Sequence, residues 1–252
     1  MCNRDCIYFG VKNLSIAEVE GKRIIEVGSY DTNGSLRPII ESWGKPAQYV
    51  GIDILKGPGV DIVCKAEELT QIFGEEGFDV VISTELLEHV RDWRTVVSNI
   101  KKVCKPNGVI LITTRSKGFR YHGFPYDFWR YELDDLKTIF SDCQIENLQK
   151  DTLKPGAFLK AKKPARFKEN DLTTFKLYSI IVDERVKEIA DIDQQVFLFK
   201  RKLSKNKFSR PFFKLYDRSI KKTGFYKPNS SPFIKFLLTK KDVNQVSIKG
   251  RK

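Results

Sequence analysis

The sequence predicts an α/β fold, a mostly parallel sheet with helices on both faces, followed by a basic C-terminal extension. Between Lys22 and about Lys163, short apolar runs alternate with helix-length amphipathic runs, the pattern of strands joined by crossover helices. At 252 residues the chain has room for one such domain and an appendage. Charge divides it: residues 1–150 hold 19 Lys/Arg against 22 Asp/Glu, a net of −3, and residues 151–252 hold 26 against 10, a net of +16. Three segments follow: an N-terminal stretch 1–21, a core 22–165 and a basic extension 166–252.

The expected strands are Arg23–Val27, Tyr49–Asp53, Asp61–Cys64, Phe78–Ser83 and Val109–Thr113, each a short run rich in Val and Ile. Between and after them, amphipathic spacing predicts helices Ser35–Trp43, Ala66–Phe73, Asp92–Cys104 and Leu133–Phe140. Asp92 has the residue type of an N-cap, and Pro106-Asn107-Gly108 reads as the turn that ends that helix before the next strand. Gln144–Leu148 and Ala157–Ala161, separated by Lys154-Pro155-Gly156, read as an antiparallel hairpin closing the sheet edge. Phe175–Val182 reads as a further strand, and the stretch from Glu184 to about Lys202 as helical.

Hydrophobic residues at 41% and charged residues at 31% are ordinary for a soluble globular chain. No run of 18 apolar residues exists, which argues against a membrane-spanning helix. Met1-Cys2-Asn3-Arg4-Asp5 opens without an apolar core, so a cytoplasmic protein is expected. The five cysteines, Cys2, Cys6, Cys64, Cys104 and Cys143, are scattered and odd in number, as in reduced thiols. Cys2 and Cys6 have CxxxC spacing, but Phe9 stands where an iron–sulfur motif needs its third cysteine. With the histidines far apart in sequence, no metal is expected.

The chemistry-bearing motifs fall at the ends of the expected strands. The first strand runs through Glu26-Val27 into Gly28-Ser29-Tyr30-Asp31-Thr32-Asn33-Gly34-Ser35, a turn that brings bare backbone against a ligand at the sheet's C-terminal edge. Tyr30 and Asn33 occupy the second and third glycine positions of GxGxxG, which disfavours a pyrophosphate of a nicotinamide cofactor. The second strand ends in Asp53, followed by Ile54; an acidic side chain there is placed to accept two ribose hydroxyls, or to cap a helix. After the third strand, Ala66 and Glu67 are placed to read a base, and first-turn carboxylates favoured by a helix dipole are the alternative. The fourth strand runs into Thr84, Glu85 and His89, at the edge where open α/β sheets bind ligands.

Taken together, the acidic-x-Gly loop, the strand-end Asp, the Ala-Glu turn and F-D-V-V-x-S-x-x-x-x-E-H resemble the class I S-adenosylmethionine-dependent methyltransferase superfamily, and more narrowly its type 11 group. Ile100 to Leu111 is similar to that group's "L-K-P-G-G" turn, with Asn107 in place of the first glycine. The resemblance covers about residues 22–165. It implies a Rossmann-like, seven-stranded sheet with an antiparallel last strand and S-adenosylmethionine across the first four loops. By position, Glu26, Gly28, Ser29 and Gly34 would line the methionine side, Asp53 would hold the ribose, Ala66 and Glu67 the adenine, and Thr84 and Glu85 the floor near the sulfonium, with Ile54 a further cofactor-binding residue. Glu26, Glu85 and Tyr30 are residue types that favour a sulfonium cation.

Arg120 to Tyr131 resembles the H-x-x-P-x-D-x-W-R stretch of type 11 relatives. There His122 and Asp127 are catalytic candidates, as groups able to take a proton from an acceptor hydroxyl or amine, and His89 joins them by its place at the expected mouth after the fourth strand. Tyr126, Trp129 and Arg130 are the substrate-binding candidates, Arg130 by a bidentate grip on an anionic group. The alternatives are an Asp127–Arg130 pair and a Trp129 that plugs the sheet edge. The expected reaction is methyl transfer to oxygen or nitrogen of a small-molecule or glycan acceptor; RNA methylation and a non-catalytic binding module are the other readings. Residues 200–252 carry 17 Lys/Arg, two acids and interleaved Phe and Tyr, a composition that suits RNA, an anionic membrane surface or a solvated extension.

Overall fold

The computed structural model describes residues 4–123 and 125–205 and divides into two compact units, Met1–Tyr178 and Ser179–Lys252. In the first unit the strands are β1 (Arg23–Val27), β2 (Gln48–Asp53), β3 (Ile62–Val63), β4 (Phe78–Thr84), β5 (Cys104–Arg115), β6 (Trp129–Arg130), β7 (Gln144–Lys150) and β8 (Gly156–Lys162), with β9 (Leu177–Ser179) at the boundary. The helices are α1 (Arg4–Asn13), α2 (Ile16–Val19), α3 (Arg37–Gly44), α4 (Leu69–Phe73), α5 (Trp93–Val103) and α6 (Leu133–Ile139). The second unit, as far as it is described, holds β10 (Glu184–Val186) and α7 (Asp191–Lys205). The basic and aromatic run beyond residue 205, with the membrane and RNA partners expected of it, lies outside the described residues.

The main sheet has seven strands in the order β3-β2-β1-β4-β5-β8-β7. The first five pair in parallel, and β8 is antiparallel to both of its neighbours, as the resemblance implied. The order reverses between β1 and β4, so the loops after β1, β2 and β4 open on one crevice at their C-terminal ends, the usual place for a ligand in an open α/β sheet.

Alternation along the strands builds the core. Ile24, Val80, Ile82, Val109 and Leu111 point to one face, where they join Phe9, Leu14, Val19, Leu36 and Ile40 from α1, the loop after it, α2, the residue before α3 and α3. The N-terminal stretch therefore supplies core: Phe9 is buried with its ring 5.2 Å from that of Phe158 on β8.

Residues 163–178 also pack into the first unit. Arg94 on α5 donates to the carbonyls of Leu172 (2.8 Å) and Phe175 (2.6 Å), and Trp93 stands edge-on to Phe175. Buried Lys101 donates to Asp142 (2.7 Å), the Ile139 carbonyl (2.6 Å) and Asn170 (3.2 Å), tying α5 to α6 and to this segment.

Asp92 caps α5 as expected, its carboxylate accepting from the Thr95 N–H and hydroxyl. Four elements differ from the sequence reading. The expected turn at Pro106–Gly108 is a continuation of β5: Asn107 takes φ 62°, its N–H donates to the Lys163 carbonyl, and the Lys163 N–H donates to the Gly108 carbonyl. The register against β4 shifts there instead. The expected helix Ala66–Phe73 is a 3-10 turn (Ala66–Glu68) followed by α4. The expected strand Phe175–Val182 shrinks to β9, and the expected helix from Glu184 opens with β10 before α7 begins.

Candidate functional site

A cleft of about 570 Å³ lies at the C-terminal ends of the parallel strands. Its first wall is the turn after β1. Gly28 takes φ 83°, and a Cβ there would meet Leu86 at 3.0 Å, so both conformation and space select glycine. The Gly28 and Ser29 N–H groups both donate to the Ile52 carbonyl at 2.9 Å, which ties the turn to β2. Asp31 holds the rest of the loop: its carboxylate accepts from the Gly34 N–H at 2.7 Å, and its own N–H donates to the Pro58 carbonyl. The Tyr30 ring lies over Gly57, where a Cβ would come within 2.3 Å of it.

Asp53 ends β2 and faces the cleft. No helix follows until Ala66, so it is not a helix cap. One carboxylate oxygen accepts from the Leu55 N–H at 3.0 Å and the other lies 3.4 Å from the Tyr30 nitrogen, leaving acceptor lone pairs on both. Ile54 and Val63, both about half exposed at 51% and 53%, add apolar walls. Ala66 and Glu67 close the third side, where buried Asn99 of α5 donates to both of their carbonyls, at 3.1 and 2.7 Å.

Glu85 follows β4 at φ 56° and is the cleft's buried acid. Its carboxylate is ion-paired with Arg115 and accepts from Thr113 Oγ1 at 3.2 Å and Cys6 Sγ at 3.5 Å. Burial and the nearby Glu88 charge push its carboxyl up, while Arg115 opposes them. Arg115 also donates to Asp151 at 2.8 Å and stacks on Phe119. Four of the expected cofactor residues, Glu26, Ser29, Gly34 and Thr84, do not reach the cleft wall. Glu26 is buried and accepts from the Tyr49 hydroxyl at 2.8 Å and Ser35 at 3.4 Å; burial outweighs those bonds and pushes its carboxyl up to about 7.

Beside Glu85, a 3-10 turn (Leu87–His89) carries Glu88 inward and His89 to the cleft. The 120–130 segment brings His122 against them, the two imidazole rings 4.7 Å apart at 66°. His89 Nδ1 lies 2.6 Å from the Tyr126 carbonyl, and His122 Nδ1 lies 2.9 Å from Asp127 Oδ2. Burial pushes His89 down from the usual histidine range, against the pull of Glu88. Burial acts the same way on His122, but the Asp127 and Glu88 carboxylates outweigh it and hold the ring up to about 9.

Asp127 is 0% exposed, and Arg130 holds both of its oxygens, at 2.5 and 2.7 Å. Arg130 is buried too and donates further to the carbonyls of Trp129, Phe119 and Arg120. A fork so occupied has no donors left for the anionic acceptor expected of it. Trp129 is buried, its indole N–H donating to the Arg91 carbonyl. Of the three substrate candidates, Tyr126 lines the cleft.

Comparison with known proteins gives the lineage of this geometry: residues 10–151 match the family model described as a methyltransferase domain. The chain belongs to that family. A curated ubiquinone biosynthesis O-methyltransferase from Rhizobium etli is 29% identical over 126 residues, 44% of this chain and 48% of that protein. The chain thus spans about half the length of that curated relative. Two solved structures share the methyltransferase fold. One is from the Haloferax volcanii complex between the Trm112 methyltransferase activator and a methyltransferase, with TM-score 0.51, 11% identity, 64% of this chain and 89% of that chain covered. The other is the Burkholderia thailandensis 1,6-didemethyltoxoflavin-N1-methyltransferase with bound 1,6-didemethyltoxoflavin and S-adenosylhomocysteine, with TM-score 0.50, 13% identity, 64% and 77% covered.

Within this methyltransferase domain, three residues passed over in the sequence shape the site. Asn99 and Arg115 had no local signal, since each acts on a loop distant in the chain. Glu88 was legible in part, as the residue beside His89 in the E-H pair.

Proposed function

We propose that this chain transfers the methyl group of S-adenosylmethionine to an oxygen or nitrogen of a small-molecule or glycan acceptor. The observation that carries the reading is the Asp53 carboxylate, which opens onto the same cleft as the Gly28 turn, Glu67 and Glu85. Ribose hydroxyls would donate to Asp53, the adenine would lie between Ile54, Val63 and Ala66, and the methionine end would run past Gly28 and Tyr30 toward Glu85. The cofactor's sulfonium is drawn to a wall bearing Asp53, Glu67 and Glu68 against Lys65 and Arg91, with the Glu85 charge already met by Arg115. Family membership, the curated O-methyltransferase and the solved N-methyltransferase with bound S-adenosylhomocysteine support the same cofactor and, of the two acceptor kinds, the small molecule.

In the transfer, an acceptor lone pair takes the methyl carbon. The carbon–sulfur bond breaks with its electron pair left on sulfur, which becomes a neutral thioether. The acceptor's proton goes to a nearby base or to solvent. With the methyl already activated, the protein's contribution is to align nucleophile, methyl and sulfur in a site that excludes water. His89, on the cleft wall, is the side chain placed to receive the proton; the Tyr126 carbonyl holds its Nδ1, His122, itself held by Asp127, packs edge-on against it, and the Tyr126 side chain forms the acceptor-side wall. Calorimetric titration of the full chain with S-adenosylhomocysteine, with NADH as control, tests this. Micromolar binding of the first alone is expected; absence of binding, or preference for NADH, overturns the reading.

A further inference from the structure

We infer that Glu88, His89 and His122 form a site for one divalent transition-metal cation beside the cleft, behind the stretch of wall that His89 lines. The nitrogen Nε2 lies 3.6 Å from Glu88 Oε1 in His122 and 3.9 Å in His89. One ligand atom from each of the three residues lies within 4.8 Å of the other two. Metal–nitrogen and metal–oxygen bonds of about 2.0–2.2 Å set neighbouring ligands roughly 3–3.6 Å apart, so small side-chain rotations would close the set on a cation.

Two independent features make this a built site. His89 is oriented from behind through Nδ1 to the Tyr126 carbonyl at 2.6 Å, and Asp127, which accepts from the His122 backbone N–H, lies 2.9 Å behind the His122 ring at Nδ1. That arrangement leaves each Nε2 on the side of Glu88, and a carbonyl or carboxylate behind the ring is the usual support of a metal-binding histidine; a cation binding there displaces the proton that the carboxylates hold on His122. Asp127 is in turn fixed by Arg130. Glu88 is 0% exposed; its Oε2 accepts from Thr114 Oγ1 at 2.8 Å, while its buried Oε1, facing the two rings, has no hydrogen-bond partner. Leaving a carboxylate oxygen desolvated and unpartnered is costly, and a cation would satisfy it.

Two imidazoles and one carboxylate suit zinc, iron(II) or manganese better than calcium or magnesium, which prefer all-oxygen shells. Three protein ligands leave coordination positions open, as in reactive metal sites. Resting on the methyl-transfer reading, such a position would hold the acceptor oxygen and favour its deprotonated form, so that with metal bound the proton leaves to solvent and His89 serves as a ligand instead of a base.

The test is titration of the chelator-treated full chain with Co(II) alone, read by visible absorption and calorimetry. One equivalent is expected to bind, with d–d bands, displacement by Zn(II) and no thiolate charge-transfer band. Glu88→Gln and His122→Ala should weaken binding by about 100-fold or more. His89→Gln is the second variant in case either fails to fold, with Tm as the check. Absence of saturable binding, a thiolate band, or equal affinity in folded variants overturns the site. S-adenosylhomocysteine is titrated separately without metal: binding of it but not Co(II) overturns this inference alone, and the reverse overturns the methyl-transfer reading alone.

Discussion

Glu85 and Arg115 form a buried ion pair at the C-terminal edge of the sheet, one following β4 and the other ending β5. The Glu85 N–H donates to the Thr113 carbonyl at 2.8 Å, so backbone and side chain both clamp this corner of the cleft. Arg115 also holds Asp151 at 2.8 Å. Arg115→Met would leave two carboxylates buried without their cation. Removing one partner of such a network costs about 3–5 kcal/mol, and urea unfolding of the variant should read a loss of that size. A loss within error would mean that water replaces the guanidinium.

Asp53→Ala should weaken S-adenosylhomocysteine binding about 10- to 150-fold, the equivalent of about 1.5–3 kcal/mol for hydrogen bonds to a charged group. Calorimetry at fixed pH checks this, and unchanged affinity would remove the ribose assignment.

Asn99→Ala tests the support of the third loop. Its amide donates to the carbonyls of both Ala66 and Glu67, and leaving these unsatisfied should cost about 1–3 kcal/mol of stability. Cofactor affinity should fall more steeply than for a stability loss of the same size placed elsewhere in the core, because the loop itself shifts. Comparing the binding constant with the unfolding free energy across such variants decides it.

Stability should fall as pH rises through the range set by Glu26. The folded protein keeps this proton up to about pH 7, because burial outweighs the bonds from Tyr49 and Ser35, whereas the unfolded chain releases it near the ordinary value of 4.5. Between those values the native state binds more protons than the unfolded chain, so unfolding free energy declines with pH, by about 3 kcal/mol at most, and flattens above. Glu26→Gln should lessen this slope in urea titrations at pH 5, 6 and 7.5, leaving the part due to Glu85, also pushed up, and to His122, held up to about 9. An unchanged slope assigns it to those groups alone.

Phe9→Ala should destabilise the domain by about 3–5 kcal/mol, since Phe9 is buried against Phe158. Guanidinium unfolding reads this directly. A loss below about 1 kcal/mol would show that α1 docks without contributing core.

Strand–helix alternation, the hairpin edge and the cleft were legible from residues 22–165 because each rests on local signals. Short continuous apolar runs gave β1, β2, β4 and β5, and Gly28, Asp53, Ala66 and Glu67 stood at the ends of the strands. The boundaries of α4 and β5 were not legible: the first turn after Lys65 is 3-10, and Asn107 is drawn into β5 by its pairing with Lys163, a partner distant in sequence.

By itself, the sequence determined the α/β class and put Gly28, Tyr30, Asp53, Ile54, Ala66 and Glu67 at strand ends that line the crevice, because apolar runs and turn chemistry act over a few residues. Tertiary structure alone decided which polar groups meet. It put Glu26 against Tyr49, spent Arg130 on Asp127, and brought His122 to Glu88 and His89 across 33 residues of chain. It also recruited α1 and residues 163–178 into the core. These pairings follow from where the sheet delivers each loop in space, and burial then fixes their charge states.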